Sequence, residues 1–361
     1  MRKIKKIIVI IQRSNGDVFL SSSLIKGLYE HFDDPHIDLL VNDDTFNIAR
    51  LIPFVKNIHT FSYLDRQFNR WGQEKNIVLQ IFNKYDLSIN LTASDRSVFY
   101  ALLAGKKSIS AIEIDRKKSW WKKMFLTHHY FFDNTQHILI NNLKSLSFLK
   151  INFENIHYPI SPSQNSIINI KKKLKAKAVE NFLIFHPSAQ YEYKIYPQHL
   201  RNTLLSSLSK LGVPILVTGS NNQLDLNIKK QIPSLVNVID FIGETSIEEF
   251  IALSELSLGY IGMDTLNMHI AASQNKRIFA VFGSTNLAMW SPWSNELKTS
   301  TSTNKPIQTY GKNTIFQSAS PCEVCGIVGC GSNHDIDEFT YIISPVEIFN
   351  EVSEWYESSR I

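Results

Sequence analysis

A continuous apolar run at residues 7–11 constrains the fold of this chain more than any other feature. The run reads Ile-Ile-Val-Ile-Ile, and such β-branched side chains are typical of a strand that is covered on both faces. After a short loop, apolar residues recur at helical spacing, at Val18, Leu24 and Leu28. A strand that leads into a helix in this way predicts a parallel α/β sheet.

The same alternation of strand and helix continues along the chain and predicts two domains. Apolar runs predict further strands at 37–41, 85–91, 181–185, 214–219, 236–241, 256–261 and 277–282. Helical spacing predicts helices at 171–177, 198–211, 246–254 and 345–356.

The boundary between these domains is predicted from a polar stretch in the middle of the chain. Residues 152–166 carry Pro159 and Pro162 among Ser and Asn, which indicates a linker. A length of 361 residues suits two domains. We therefore predict a first domain at 1–165, a second at 166–344, and a C-terminal helix at 345–361 that can pack back toward the first domain.

Composition narrows the class of protein. Hydrophobic residues make up 43% and charged residues 20%, which is enough for two packed cores. The net charge of +5 fits a phosphate-bearing partner but is too small to indicate nucleic acid. The run at 7–11 is too short for a secretory signal, and no apolar stretch is long enough to span a bilayer. The three Cys fall between Cys322 and Cys330, an odd and clustered set that favours a reducing compartment. We expect a cytoplasmic protein.

The first candidate site is the loop after the opening strand. Ligands of open α/β sheets bind beyond the carboxyl ends of strands. Asn15 and Gly16 lie there, with Gly16 permitting a tight turn, and Asp17 stands near the start of a helix. Asp17 is either a catalytic carboxylate or a common N-cap. There is no G-x-G-x-x-G pattern, so a nicotinamide or flavin site is not supported.

Small polar loops also follow three strands of the second half. Ser188, with Lys194 close by, suits a phosphate cradle, although an ordinary loop with a solvated lysine fits equally well. Asp264 and Thr265 stand before a helix whose first N–H groups can face a diphosphate. The loop at 283–286 is another small, hydroxyl-rich segment. These loops predict a binding site for a phosphate or diphosphate group.

Two further groups could serve as ligands. His269 lies on the helix after Thr265, and we slightly favour a hydrogen-bonded core histidine over a ligand. The spacing of Cys322, Cys325, Cys330 and His334 allows a tetrahedral zinc site. A single short loop without a second Cys pair is weak evidence, so we favour reduced thiols and expect no metal.

A basic run with two tryptophans occupies residues 116–126. Aromatic residues among cations suit a membrane interface with anionic headgroups. The alternatives are a nucleic-acid patch and a plain solvated helix face. We favour the interface because Trp120 and Trp121 are adjacent. Four lysines of this run are candidates for contact with such headgroups: Lys117, Lys118, Lys122 and Lys123.

Eight short segments occur in an order and spacing shared with a known enzyme family. They lie at residues 15–18, 37–42, 85–92, 94–97, 186–188, 194–197, 263–272 and 281–293. Together they resemble glycosyltransferase family 9, the ADP-heptose:lipopolysaccharide heptosyltransferases, over nearly the whole chain. The late Cys cluster is similar to that of some lipopolysaccharide-core members.

The resemblance implies a fold and a division of labour. The fold would be GT-B: two Rossmann-like, doubly wound parallel-sheet domains facing a central cleft. Asp17 would be the general base of an inverting transfer that needs no metal or other cofactor. The implied donor-binding residues are Ser188, Lys194, Asn221, Asp264, Thr265, Leu266, His269, Ser284 and Thr285. The acceptor would bind the first domain, where the candidates are Asn15, Gly16 and the four lysines named above.

The sequence departs from the family pattern at two places. Many members have a small residue, often followed by Pro, where Leu266 and Asn267 stand here. Some members have a Glu that meets ribose hydroxyls where Asn221 stands here. These departures leave the identity of the donor less defined than the reaction class.

We therefore expect a heptosyltransferase that uses ADP-heptose. Its acceptor would be the inner core of lipopolysaccharide or lipooligosaccharide, met at the inner face of the cytoplasmic membrane, and it would bind no nucleic acid. One alternative keeps the fold and reaction class but changes the nucleotide sugar or the glycan. A second alternative is a non-catalytic nucleic-acid-binding protein that uses the Cys cluster and the basic run.

Overall fold

The structure, a computed structural model, describes residues 4–114, 116–152, 159–190, 192–283, 285–303, 305–317 and 343–359. Contacts divide the chain into two compact units, Met1–Ile160 and Ser161–Ile361. This division lies close to the domain boundary expected after residue 165. Each unit is an α/β sheet layered with helices, as the alternation of strands and helices predicts.

The first unit is built on a parallel sheet. Its described strands are β1 (Lys6–Ile11), β2 (His36–Asn42), β3 (Val55–Phe61), β4 (Tyr85–Asn90), β5 (Gly105–Ile112) and β6 (His128–Phe131). They pair in the order β3-β2-β1-β4-β5-β6, and each pairing is parallel. From β1 the chain adds β2 and β3 on one side of the sheet, and it then adds β4, β5 and β6 on the other side. The strand order therefore reverses between β1 and β4. Such a switch point is where doubly wound sheets bind ligands.

Helices cover both faces of this sheet. They are α1 (Asn15–Leu20), α2 (Ser22–His31), α3 (Phe46–Ala49), α4 (Asp65–Ile81), α5 (Asp95–Ala104), α6 (Arg116–Phe125) and α7 (Ile138–Ser147). Since parallel crossovers are right-handed, α4, α5 and α6 lie on one face, and α2 and α3 lie on the other. Every residue of β1 after Lys6 is buried, which confirms the interpretation of the apolar run as a doubly covered strand.

The second unit repeats the same plan. Its described strands are β7 (Leu183–His186), β8 (Ile215–Gly219), β9 (Val238–Ile242), β10 (Gly259–Met263), β11 (Arg277–Phe282), β12 (Ile307–Tyr310) and β13 (Asn313–Gln317). Their order is β12-β13-β11-β10-β7-β8-β9, and only the β12–β13 pair of the described strands is antiparallel. The switch point of this sheet lies between β7 and β10.

The described helices of the second unit are α8 (Gln164–Ala176), α9 (Gln198–Leu208), α10 (Gln223–Gln231), α11 (Ile247–Leu256), α12 (Leu266–Ser273), α13 (Leu287–Trp290) and α14 (Pro345–Ser358). Three of them lie within three residues of their predicted bounds, whereas α8 begins seven residues before the predicted start, inside the stretch predicted as a linker. None of the helices in the described part of the chain is long and apolar enough to cross a membrane.

The C-terminal helix α14 belongs to the core of the second unit. Its Ile348 and Val352 are fully buried in a cluster that includes Leu204 and Leu208 of α9. The ring of Trp355 also packs against Phe279 of β11, with centroids 5.6 Å apart. The apolar face of α14 is therefore used within the core of the second unit.

Candidate active site

Asp17 lies at the switch point of the first sheet. It is the third residue of α1, which begins four residues after the end of β1. Ser14, the N-cap of α1, donates to Oδ2 of Asp17 from its backbone N–H at 3.2 Å and from its hydroxyl at 2.7 Å. The N-cap is therefore Ser14 and not Asp17, and Asp17 contributes to the cap from the third position of the helix.

The surroundings of Asp17 are unusual for a surface cap. Its side chain is buried, with a residue exposure of 3%, and the Nε of Arg13 lies 2.7 Å from its Oδ1. The guanidinium of Arg13 in turn lies over the ring of Phe132. Burial raises the pKa of Asp17, while Arg13 and Ser14 oppose that rise. A carboxylate with a raised pKa is better matched to taking a proton than an ordinary surface aspartate.

The neighbours of Asp17 are placed differently from expectation. Asn15 and Gly16 form the first turn of α1 and not a loop. Gly16 is not among the residues with a positive φ angle. The prediction of a tight turn at Gly16 was therefore wrong, and the turn into the helix is made at Ser14 instead.

A cationic pocket beside this site was missed by sequence reasoning. A cavity of about 290 Å³ is lined by Gln12 and Thr92, by Tyr63, by Ser94 and Arg96, and by Arg66, Arg70 and Glu74 of α4. The Nη2 of Arg96 donates to the hydroxyl of Tyr63 at 2.9 Å, and its Nε lies 3.4 Å from Oε1 of Gln12. The pocket thus brings three guanidinium groups to the carboxyl ends of β1, β3 and β4.

The pocket escaped prediction because β3 carries a weak signal. Its sequence, Val-Lys-Asn-Ile-His-Thr-Phe, has too few apolar residues for a buried run, and most of its residues are only partly covered. Because β3 was not predicted, the sequence did not show that Arg66 and Arg70 follow the end of a strand. The i, i+4 spacing of two arginines after Phe61 was the signal that could have indicated a site.

Lys122 does not have the role that the sequence suggested. It is fully buried, and its ammonium group lies 2.8 Å from Oδ1 of Asp95, 2.6 Å from Oε2 of Glu113 and 2.8 Å from the carbonyl of Ala93. Lys122 is therefore a structural ion-pair partner and not an acceptor-binding cation. The same ion pair places a cation beside the carboxylate of Asp95.

The other cations of this run are not buried in that way. Lys117 is exposed, and Lys123 is half-buried with its ammonium group over the ring of Phe131 at 4.9 Å. The side chain of Lys118 lies outside the description. Lys117 and Lys123 therefore stay candidates for an interface.

In the second unit, His186 marks the carboxyl end of β7 at the switch point. Its Nδ1 lies 3.0 Å from the hydroxyl of Thr218, and the amide nitrogen of Asn267 lies 3.1 Å from its Nε2. Burial lowers the pKa of His186 to about 4, so the ring is neutral at neutral pH. Gly262 is required beside it, because a Cβ there would lie 2.5 Å from the carbonyl oxygen of His186.

Asp225 joins the loops that follow β7 and β8. It is buried, and it accepts hydrogen bonds from the hydroxyl of Ser188, from the backbone N–H of Ser220 and from the hydroxyl of Ser220 at 2.7 Å. The hydroxyl of Ser188 is thus engaged inside the protein, so it does not point a free donor at a phosphate. Asp225, which the sequence analysis did not single out, positions both loops.

Lys194 and Asp264 form an ion pair across the switch point. The ammonium group of Lys194, at the end of a 3-10 turn, lies 3.3 Å from Oδ2 of Asp264. Lys194 therefore neutralises the carboxylate whose charge would otherwise repel a diphosphate. The sequence placed both residues in one site, and the structure brings them together.

The start of α12 offers backbone donors at the same place. Thr265 is the N-cap, but its hydroxyl lies near the hydroxyl of Tyr260, at 3.4 Å, and makes no capping bond to α12. Leu266 is the first residue of the helix. The N–H groups of the first turn of a helix, together with its dipole, favour a bound anion.

The remaining predicted residues have varied surroundings. Asn221 is exposed after β8, and a Cβ at Gly243 would lie 3.4 Å from its Oδ1. His269 is buried beside the ring of Trp290, at 6.3 Å between centroids. Thr285 is buried after β11, where its carbonyl accepts from Gln317.

The other predicted residues lie outside the described residues. These are Ser284 and the candidate zinc ligands Cys322, Cys325, Cys330 and His334. Within the described part of the chain, no group of three or more His, Cys, Asp or Glu side chains is arranged to hold a metal ion.

Comparison with known proteins identifies the family. A model of glycosyltransferase family 9 (heptosyltransferase) matches residues 79–319, which is more than half of the chain. The chain belongs to glycosyltransferase family 9. It is therefore an enzyme that transfers a sugar, as the sequence motifs predicted, and the alternative of a non-catalytic nucleic-acid-binding protein is set aside.

Individual relatives agree with this family. Lipopolysaccharide heptosyltransferase 3 of Escherichia coli K12 is 26% identical over 294 residues, covering 79% of this chain and 84% of that protein. Two solved structures from E. coli are similar in fold. ADP-heptose lipopolysaccharide heptosyltransferase II has a TM-score of 0.70 at 15% identity, covering 99% and 100% of the two chains. Heptosyltransferase WaaC with ADP has a TM-score of 0.71 at 12% identity, covering 97% and 99%. The GT-B fold expected for this family 9 enzyme is confirmed.

Proposed function

We propose that this family 9 enzyme transfers heptose from ADP-heptose to the inner core of lipopolysaccharide or lipooligosaccharide. The match to the heptosyltransferase family over residues 79–319 carries the proposal. Curated relatives named lipopolysaccharide heptosyltransferase 3 add the acceptor class. The chemistry is then assigned to residues at the switch points of the two sheets.

The donor is assigned to the second unit. The diphosphate would accept hydrogen bonds from the first N–H groups of α12, and Lys194 would add a positive charge. Asp264, which is paired with Lys194, would accept from sugar hydroxyls. The hydroxyl of Ser188 is not used, because Asp225 holds it.

The reaction is assigned to Asp17. Its carboxylate would take the proton of the acceptor hydroxyl while that oxygen bonds to the anomeric carbon of the donor. The bond from the anomeric carbon to the diphosphate oxygen breaks at the same time, and its electron pair leaves with ADP. Attack on the face opposite the leaving group inverts the anomeric configuration. Arg13 would hold the carboxylate in place through the 2.7 Å ion pair.

We propose that the transfer needs no divalent metal. Negative charge develops on the departing diphosphate, and Lys194 with the start of α12 supplies positive charge where it develops. ADP affinity should therefore be the same with and without a chelator, measured by calorimetry. Loss of ADP binding or of transfer on chelation, with recovery on adding a metal, would overturn this assignment.

We propose that the enzyme works as a peripheral protein on the inner face of the cytoplasmic membrane. The basic helix α6 would meet an acidic glycolipid there. Charge reversal at Lys117, Lys118 and Lys123 should reduce sedimentation with anionic vesicles. Lys122 is left out of the variant because its buried ion pairs hold the fold together. Equal sedimentation of variant and parent would reject a role for these cations.

A second candidate keeps the reaction and changes the donor. It is favoured by Leu266 at the start of α12 and by Asn221 after β8, where the family resemblance leads us to expect other residues. A panel of nucleotide sugars, screened by the shift in thermal unfolding, distinguishes the two. ADP-heptose should give the largest shift. A larger shift with another nucleotide sugar would replace the heptose assignment.

A further inference from the structure

Helix α4 carries a row of large apolar side chains that the first unit does not cover. Its inner side is fixed by Ile77 and Ile81, which are buried in the core with β1 and β2. Its outer side exposes five large apolar residues. They are Leu64 (69% exposed), Phe68 (87%), Trp71 (79%), Leu79 (62%) and Phe82 (57%), of which the first and last flank the helix.

The spacing of these residues places them on common sides of the helix. Trp71 and Leu79 are eight residues apart, so they lie on one side of α4, and Phe82 follows directly after the end of the helix. Leu64 and Phe68, four apart, form a second pair before a kink at Asn69. A solvent-exposed face with this many aromatic and aliphatic side chains indicates a surface that binds an apolar partner.

The apolar row continues onto the neighbouring helices. Helix α4 packs on α5, and both lie on the same face of the sheet as α6. Helix α5 exposes Phe99, and α6 exposes Trp120, Met124 and Phe125. We call this surface, formed by the exposed side chains of α4, α5 and α6, the outer helical face.

The charge of the outer helical face indicates what covers it. Helix α6 has no acidic residue, and its Lys117 is exposed and its Lys123 half-buried, while Lys122 is taken up by its buried ion pairs. Helix α4 adds the exposed cations Arg66, Arg70 and Lys75 between its apolar residues. Trp and Phe beside Lys and Arg match the chemistry of a bilayer surface, where apolar rings enter the interface and cations meet anionic headgroups. A second copy of the same face would instead set these cations against each other.

We infer that the outer helical face docks on an anionic lipid bilayer, with α4 supplying most of the apolar contact. This deepens the proposed function and rests on it for the membrane concerned, since a lipid-anchored acceptor is presented at such a surface. Docking by this face is a property of the first unit alone. It requires neither donor nor transfer.

The test is co-sedimentation with vesicles of phosphatidylcholine, with and without phosphatidylglycerol. The variant Phe68→Ser/Trp71→Ser/Leu79→Ser removes three of the apolar residues of α4. The matched control Ile168→Ser/Val236→Ser/Leu297→Ser removes three exposed apolar residues of the second unit. All six side chains are at the surface, so we expect both variants to fold. An unchanged thermal unfolding midpoint would show that they do.

The parent should bind vesicles that contain phosphatidylglycerol and bind phosphatidylcholine alone weakly. The α4 variant should lose about tenfold or more of its vesicle affinity, and the control should keep that of the parent. Equal binding by the α4 variant and the parent would overturn the inference, as would equal binding to both vesicle types. A parent that is dimeric in solution and becomes monomeric in the α4 variant, without vesicle binding, would assign the face to a second copy of the chain.

Failure of this inference and failure of the proposed function give different results. A chain that sediments with vesicles through α4 but transfers no heptose keeps the docking surface and loses the function. A chain that transfers heptose while the α4 variant binds vesicles as the parent does keeps the function and loses the docking surface.

Discussion

Replacing Lys122 with Met tests whether this residue of helix α6 is a buried ion-pair partner or one more cation of a solvated basic face. Met keeps the length and packing of the aliphatic chain and removes the ammonium group. That group is fully buried and touches three acceptors, on Asp95, Glu113 and Ala93, at 2.6 to 2.8 Å. The variant therefore measures what these contacts contribute to the free energy of unfolding.

The size of the effect follows from the exposure of the partners. Removing one member of a fully buried ion pair costs about 3–5 kcal/mol, because the other charge is left without solvent. Here the side chains of Asp95 and Glu113 are 72% and 39% exposed, so both carboxylates can be hydrated once the lysine is gone. We therefore expect a smaller loss, about 1.5–3 kcal/mol, close to that of one charge-assisted hydrogen bond.

The assay is urea unfolding followed by circular dichroism. At a typical slope for urea, Lys122→Met should lower the unfolding midpoint of the first unit by about 1 M. Lys117→Met, on the same helix but exposed, is the matched control and should change stability by no more than about 0.5 kcal/mol. Equal midpoints for the two variants would refute the buried ion pair.

Three further predictions concern the second unit. Lys194→Ala should weaken ADP binding by about 10- to 100-fold, the value of one charged contact to a phosphate, and calorimetry that finds an unchanged affinity would reject the role of Lys194. Asp225→Ala should lower the unfolding free energy by about 1–3 kcal/mol and also weaken ADP binding, because it frees the loops after β7 and β8, whereas Ser188→Ala should do less of both. For His186, whose pKa is lowered to about 4, the folded state favours the neutral ring, so stability should fall by up to about 3 kcal/mol as the pH drops from 6.5 to 4. In His186→Gln, thermal unfolding should show a shallower fall over that range, and an identical pH profile would contradict this.

The parts of the fold that depend on local pattern were predictable from the sequence. The buried strands β1 and β11 are runs of apolar residues after one basic residue, and the residues after them mark the strand ends at which sites occur. Strand β3 was not predictable in this way, because four of its seven residues are polar and only its last residue is buried. The cationic pocket that depends on β3 was missed with it.

Side-chain roles that depend on distant partners were beyond the sequence. Lys122 looks like its neighbours in a basic run, and only the fold shows that Asp95 and Glu113 enclose it. Ser188 looks like a free phosphate ligand, but its hydroxyl is held by Asp225, 37 residues away. The sequence assigned Lys194 and Asp264 to one donor site through the family resemblance, but it did not predict the ion pair between them.

The central claim is that Asp17 is the general base of the transfer. Asp17→Asn keeps the size of the side chain and can still accept from Ser14, so the cap survives. Since burial raises the pKa of Asp17, the ionised carboxylate is a cost to folding at neutral pH, and its neutralisation offsets the lost ion pair with Arg13. The variant should therefore be folded and should bind ADP like the parent.

The decisive measurement is the rate of heptose transfer by Asp17→Asn at saturating donor and acceptor. The account predicts a fall of about two to four orders of magnitude, the usual contribution of a general base, with an unchanged affinity for ADP. A folded variant that binds ADP and transfers heptose at the rate of the parent would contradict it, and Asp17 would then serve only the Ser14 cap of helix α1.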